Sequence, residues 1–267
     1  MLTRTLEPEV MDSREDAWDY DTMDHGEVNR RFVDDLLAAG LIDCSTAVAG
    51  TAMGGTDSPS GTDAGGTGNR RDCQWPDRHG DDISDADRPP LLVLDIGAGT
   101  AQIPILLCQA TDDVQIMAAD AAVSMLDLAR LNVEIAGLRD RIQLDHADAK
   151  RMAYRDRMFD AVISNSIVHH IPEPREVLRE AVRVTKPGGL LFFRDLVRPT
   201  DDDEVMRLVE LYATGCNEHQ QMLFRDSLRA SLTIAEVQEL VSELGFAADT
   251  VRITSDRHWT WSARKSA

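Results

Sequence analysis

The alternation of short apolar runs with helical patterns from residue 91 onward constrains this chain more than any other feature. The run "LLVLD" leads to a helix over 100–110, and "VQIMAAD" to a helix over 122–136 that stops at Gly137. "RIQLDHAD" follows, then a loop and "FDAVISN", which ends at Asn165. A helix over 173–184, with Pro174 in its first turn, gives way to "KPGG" and the strand "LLFFRDL". Strands and helices in this order specify a parallel, doubly wound α/β sheet with helices on both faces. Further on, residues 201–231 read as helical, and "TIAEVQELVSELGF" as a helix opened by a Thr233/Glu236 capping box. "TVRITSD" and "RHWTWSA" read as a closing hairpin, with Trp259 and Trp261 on one face and turned to the core. The expectation is a Rossmann-like, seven-stranded sheet with a terminal antiparallel hairpin and helical lid additions.

Composition divides the chain near residue 90. Residues 1–90 carry 20 acidic and 8 basic side chains, a net of −12. Within them a Gly-, Asp-, Ser- and Thr-rich stretch over 44–90 has no periodicity and too little apolar surface to offset its ordering entropy, so it is expected to be disordered or loosely held, with docking of Trp75 on the core the less favoured alternative. Before it, Val28, Phe32, Val33, Leu36 and Leu37 make one helical stripe that stops at Gly40. Three parts follow: residues 1–43 with a cover helix, the insert over 44–90, and a domain over 91–267 with a lid over 201–231.

The formal charge of −19 repels phosphate backbones, so a nucleic-acid partner is not expected. Cys44, Cys73, Cys108 and Cys216 form no CxxC pair, Cys108 reads as a core residue, and no metal-binding constellation stands out. The acidic N-terminus has no hydrophobic region and no apolar run is long enough to cross a bilayer. A cytoplasmic protein with no membrane partner is the expectation.

In a doubly wound sheet, ligands bind at the carboxyl ends of the strands, beside the first glycine turn. Asp95, Asp120, Asp148 and Asn165 stand at such ends, and Gly97 and Gly99 make the turn. A dinucleotide fingerprint requires a glycine where this chain has Gln102, and no Gly-Lys-Ser/Thr follows as in a P-loop. Three carboxylates around one pocket oppose a pyrophosphate and suit a cationic ligand rich in donors. Asp95 favours an ammonium or sulfonium, Asp120 can accept from both ribose hydroxyls, and Asp148 is placed for an adenine amine. Together they describe S-adenosylmethionine. The rival is a nicotinamide dinucleotide site short of one glycine; Asp120 suits either ligand, whereas Asp95, Asp148 and Gln102 favour the methyl donor.

Residues 91–198 resemble the class I S-adenosylmethionine-dependent methyltransferases. The matching stretches are "VLDIGAGTA", "AADAAVSMLDLAR", "DHADAKRM", "FDAVISNSIVHHIPEP" and "RVTKPGGLLFFRDL", in that order. The resemblance implies that Asp95, Gly97 and Gly99 hold the methionine end of the cofactor and Asp120 its ribose. It sets Met125 and Asp148 against adenine with Ala149 alongside, and Ser164 and Asn165 near the methionine moiety. Thr100 and Ala121 complete the expected cofactor set, and Ala101 stands where many members have a further glycine. The C-terminal third is similar, through an "SL…LT..E……LGF" run, to the ubiquinone/menaquinone-biosynthesis C-methyltransferases.

Methyl transfer from a sulfonium needs alignment more than covalent help, and a base only for a protonated acceptor. His169, after the fourth strand, is the catalytic candidate, able to orient or deprotonate the acceptor; the alternative is that it packs in or caps a turn. Arg194 needs an anion, either Asp195 in a structural pair or a substrate carboxylate. Tyr20 and His25 are acceptor-side candidates where the covers meet the donor, or else belong to a helix cap and a packed helix. No Asn-Pro-Pro-aromatic signature of amino-group methylation is present. The expected function is methylation of a small-molecule acceptor; a nucleic-acid methyltransferase and a non-catalytic S-adenosylmethionine binder are the alternatives.

Overall fold

The computed structural model describes residues 2–8, 10, 12–23, 25–42 and 89–266. Trp75, Cys44, Cys73 and the expected disorder of the insert up to residue 88 lie outside that set. The chain opens with α1 (Arg14–Thr22) and α2 (Gly26–Ala38). Then come β1 (Leu91–Ile96), α3 (Gln102–Ala110), β2 (Val114–Asp120), α4 (Val123–Ile135), β3 (Ile142–His146) and β4 (Phe159–Asn165). A 3₁₀ turn (Val168–His170) precedes α5 (Pro174–Val184), β5 (Thr185–Leu196), α6 (Asp202–Ala213), α7 (Glu218–Ala230) and α8 (Ile234–Glu243). The hairpin of β6 (Val251–Ile253) and β7 (His258–Arg264) closes the chain.

The seven strands form one sheet in the order β3-β2-β1-β4-β5-β7-β6. The first five run parallel, and β7 is antiparallel to both β5 and β6. Parallel strands covered on both faces are apolar throughout; β1 accordingly buries Leu92, Val93, Leu94 and Ile96. On one face α2, α3 and α4 seal a single core that includes Phe32, Leu36, Leu107, Cys108 and Val133. Phe32 meets Phe192 edge-on at 5.2 Å. On the other face Trp261 meets Phe193 at 5.5 Å in a tilted contact and Phe246 edge-on at 5.2 Å, and α5 packs on β4 and β5. Trp259 and Trp261 are fully buried, as the alternation requires.

Three elements differ from expectation. Helix α1 carries no apolar stripe, and only Ala17 is buried; Ser13 caps it by accepting the Asp16 N–H at 2.9 Å. Strand β5 starts five residues early, at Thr185, because "KPGG" is drawn into the sheet as a bulge opposite Phe159 and Ala161. There Gly188 has φ +77°, and a Cβ on Gly189 would stand 2.9 Å from the Asp160 carbonyl. The helical stretch 201–231 is two helices, the second opened by an Asn217/Gln220 capping box. These helices enclose a small core of their own around Val205, Leu208 and Leu228.

Candidate active site

The strand order reverses direction between β1 and β4, and the crevice at such a point is where an open α/β sheet binds ligands. A cleft of about 830 Å³, open solvent at its mouth included, occupies it, with Ile96 and Gly97 on one side and Asn165 and Ser166 on the other. Gly97, Gly99 and Ala101 all take left-handed backbone angles, so the turn after β1 folds tightly. A Cβ on Gly97 would come 2.7 Å from Ile167 Cδ1, too close for any other residue. Asp120, at the end of β2, clamps the turn from beneath. It accepts the Gly99 N–H and the Ala122 N–H, each at 2.8 Å. Each of its oxygens retains a lone pair for a hydroxyl donor.

A second cavity of about 290 Å³ shares Tyr20, Gly97 and Asn165 with the first and adds Asp95, Thr100 and Gln102. Burial, then the charge of Asp120, pushes the Asp95 carboxyl up to about 8. Asn165 Oδ1 and Thr100 Oγ1 are buried here without a hydrogen-bond partner. Buried polar atoms are almost always paired, so this end of the cleft is built for a ligand with donors. Tyr20 closes over it from α1; burial and then the Asp120 and Asp95 charges push its phenol up to about 12.

Among the expected residues, Gly97, Gly99, Asp120, Ala121, Met125, Asp148 and Ala149 line the main cleft, with Tyr20 and Asn165. Asp148 accepts the Lys150 N–H at 2.9 Å; burial raises its pKa, but the Lys150 bonds outweigh that and hold it below the ordinary value. His25 stacks on Tyr20 at 4.8 Å from α2's N-terminal end and lies behind the lining. Ser164 does not face the cleft: its hydroxyl donates to the Ile96 carbonyl at 2.8 Å.

Neither His169 nor Arg194 is among the residues that line the two cavities. His169 is buried away from the cleft, with Nδ1 2.6 Å from Asp195 Oδ1 and Nε2 3.3 Å from Glu7 Oε1. Burial alone would lower its pKa, and the Asp195 carboxylate outweighs this to raise it. The next residue, His170, lines the cleft instead. Arg194 does not pair with Asp195, because successive residues of a strand face opposite sides. It lies under α2, donates to Asp35 at 2.6 Å and Thr260 at 2.9 Å, and has the rings of Phe32 and Phe192 within 6 Å. Among the described residues that line the two cavities, none comes from α6 or α7. Val10 and Tyr20 cover the main cleft instead, and residues 2–8 before them are held by Arg4, whose guanidinium donates to the carbonyls of Ala230, His169 and Ile171.

Sequence reading also missed Gln102. Its amide bridges Asp21 on α1 and Asn29 on α2, at 3.3 Å and 3.0 Å. Asp21 in turn accepts from Asn132 at 3.1 Å, and Asn132 also donates to the Thr100 carbonyl. The residue that departs from the dinucleotide pattern thus ties both N-terminal helices to the glycine turn.

The reversing parallel sheet, the left-handed turn after β1, the acidic strand ends and the hairpin at the far edge make up the Rossmann-like fold that the sequence resemblance implies. Residues 94–193 match the methyltransferase domain family. The chain is 36% identical over 123 residues to methyltransferase GfsG of Streptomyces halstedii, covering 46% of this chain and 44% of that one. It is 30% identical over 114 residues to the demethylmenaquinone methyltransferase of Desulfitobacterium hafniense, 42% and 45% of the two chains. The chain spans under half the length of these curated relatives. The crystal structure titled a putative S-adenosyl-L-methionine-dependent methyltransferase from Methanococcus maripaludis shares the fold, with TM-score 0.57, 16% identity and 98% of each chain covered. The buried Asp95 carboxyl and the unpartnered Asn165 and Thr100 oxygens at this end of the cleft suit a cationic ligand with donors. Among the described residues no helix is long and apolar enough to cross a membrane.

Proposed function

We propose that the chain transfers a methyl group from S-adenosylmethionine to a small-molecule acceptor by in-line displacement. The observation that carries this is the buried Asp95 beside two unpartnered buried oxygens, in a cleft already holding Asp120. Such a site attracts a cation bearing N–H and O–H donors and repels a pyrophosphate. Asp95, Thr100 and Asn165 hold the amino-acid end, with Gly97 and Gly99 giving the backbone close approach. Asp120 with Ala121 receives the ribose, and Met125, Asp148 and Ala149 the adenine.

S-adenosylmethionine supplies an electrophilic methyl carbon on a positively charged sulfur. The protein's work is alignment and exclusion of water. Tyr20 and Val10, from the N-terminal segment, face Ile167 and Ile171 across the cleft and give it an apolar rim suited to a small organic acceptor. His169, with both ring nitrogens facing carboxylates, is a positioning residue, and His25 orients Tyr20. The net charge of −19 opposes a polyanionic acceptor, and a relative is named for a small one, demethylmenaquinone.

Isothermal titration with S-adenosylhomocysteine and with NADH, followed by labelling of metabolite pools with a methyl-labelled donor, tests this reading. Saturable heat with the first ligand alone and label in a low-molecular-weight product are expected. Uptake of the dinucleotide, or label confined to protein or RNA, overturns it.

A further inference from the structure

The N-terminal segment brings Glu7 onto the 3₁₀ turn after β4, where its Oε1 meets both histidines. It lies 3.3 Å from His169 Nε2 and 3.1 Å from His170 Nδ1, and the three atoms are all within 4.8 Å of one another. The other nitrogen of each ring is already committed. Asp195 accepts the backbone N–H of His169 at 3.1 Å and of Leu196 at 2.6 Å, and faces His169 Nδ1 at 2.6 Å. An acceptor-only carboxylate in that position places the ring proton on Nδ1. His170 hydrogen-bonds the Pro8 backbone, which offers only a carbonyl. Its Nδ1 has no hydrogen-bond partner, so Nε2 makes that bond.

With those tautomers, two imidazole lone pairs and a carboxylate oxygen converge in a buried space without a donor among them. Glu7 Oε1 and His170 Nδ1 both lack a hydrogen-bond partner. An extra proton on His169 would bridge one edge of the triangle and leave the His170 edge with two facing acceptors. A divalent ion satisfies all three atoms at once. For metal–ligand bonds of about 2.0–2.2 Å, tetrahedral geometry sets ligand atoms about 3.3–3.6 Å apart, close to the two separations found here.

We propose that Glu7, His169 and His170 bind a divalent transition-metal ion of the zinc type, beyond the methyl-transfer reading and independent of it. Two imidazoles and one carboxylate favour such an ion over magnesium or calcium, which take oxygen ligands. The surrounding contacts are those that orient metal ligands: Asp195 on the far nitrogen of His169, Pro8 on that of His170, and Ser227 donating to Glu7 Oε2 at 3.3 Å. His170 also lines the main cleft, so the fourth coordination position is within reach of water or a donor group in the acceptor. The ion would clasp residues 2–8 to the rim of the cleft. No sequence motif announces it, because Glu7 lies 162 residues before His169.

The untagged full-length chain, loaded with zinc and passed through gel filtration, tests the site by metal analysis and zinc X-ray absorption. One equivalent of zinc with two imidazoles and no sulfur in the first shell is the expected result. Glu7→Gln and His170→Asn should each weaken uptake by about 10-fold or more, and Asp195→Asn, which acts only through His169, by about 10–100-fold. Circular dichroism and S-adenosylhomocysteine binding report whether each variant folds. Substoichiometric zinc, sulfur ligands, or folded variants that bind as the parent does would overturn the proposal, and the absorption spectrum of the unaltered chain decides it even if every variant unfolds.

Discussion

Asp95 shows how a single side chain can join folding to ligand uptake. Burial, then the Asp120 charge, pushes its carboxyl up to about 8, against about 3.9 in an unfolded chain. Between those values the folded state holds a proton that the unfolded state has lost. Stability therefore falls as pH rises from about 4 to about 8 and levels off above that window. A bound cation reverses the preference, so donor uptake near neutral pH should release a proton. Titrations in phosphate and Tris buffers should differ in apparent enthalpy, and Asp95→Asn should erase the difference and weaken binding by about 10–100-fold. Gly97→Ala brings a Cβ at φ +72° against Ile167. It should destabilise the protein by about 2–4 kcal/mol in urea unfolding, through left-handed strain and overpacking. Both residues were legible in the sequence, because a strand end and a glycine turn are local features. The partners of Arg194 and His169 were not. Asp35 is 159 residues from Arg194, and adjacency in sequence pointed to Asp195, which the strand turns to the other face.

Among the elements, those held by apolar periodicity were read close to their observed bounds, α2 and α4 being examples. Helix α1 has no such stripe and is kept in place by polar contacts from distant elements: Asp21 to Gln102 and Asn132, and the Asp19 carboxylate beside His219 Nδ1 at 2.7 Å. Asp21→Ala should accordingly free α1 rather than unfold the protein. Faster amide exchange confined to residues 14–22, with weaker donor binding and little change in melting temperature, is the expected pattern. The contact of α2 with β5 behaves differently. Arg194 is 5% exposed while Asp35 is 44% exposed, so Asp35→Ala leaves a buried guanidinium that solvent reaches only in part. A loss of about 1–3 kcal/mol in chemical denaturation should follow. The role of residues 2–8 was illegible for a related reason: a segment without regular structure has no period to read, and its anchors are carbonyls at 169–172 and 230.

At the scale of the molecule, the fold carries its own test of the cofactor reading. A ligand at 100 times its dissociation constant adds about 2.7 kcal/mol to stability, which for a domain of this size raises the melting temperature by about 5–10 °C. S-adenosylhomocysteine should produce that shift and NADH none, as measured by calorimetry. The whole structure is also sensitive to the phase of one strand. Arg194 and Asp195 sit side by side in β5, yet the first belongs to the aromatic layer beneath α2 and the second to the histidine layer behind the cleft. Adding a single residue upstream in β5, with its pairing kept, would turn every later side chain of the strand to the opposite face, bringing the Arg194 guanidinium to the place of Asp195 against an imidazole N–H and Phe193 to the place of Arg194 beside Asp35. Two buried environments of opposite polarity therefore depend on whether one count is odd or even.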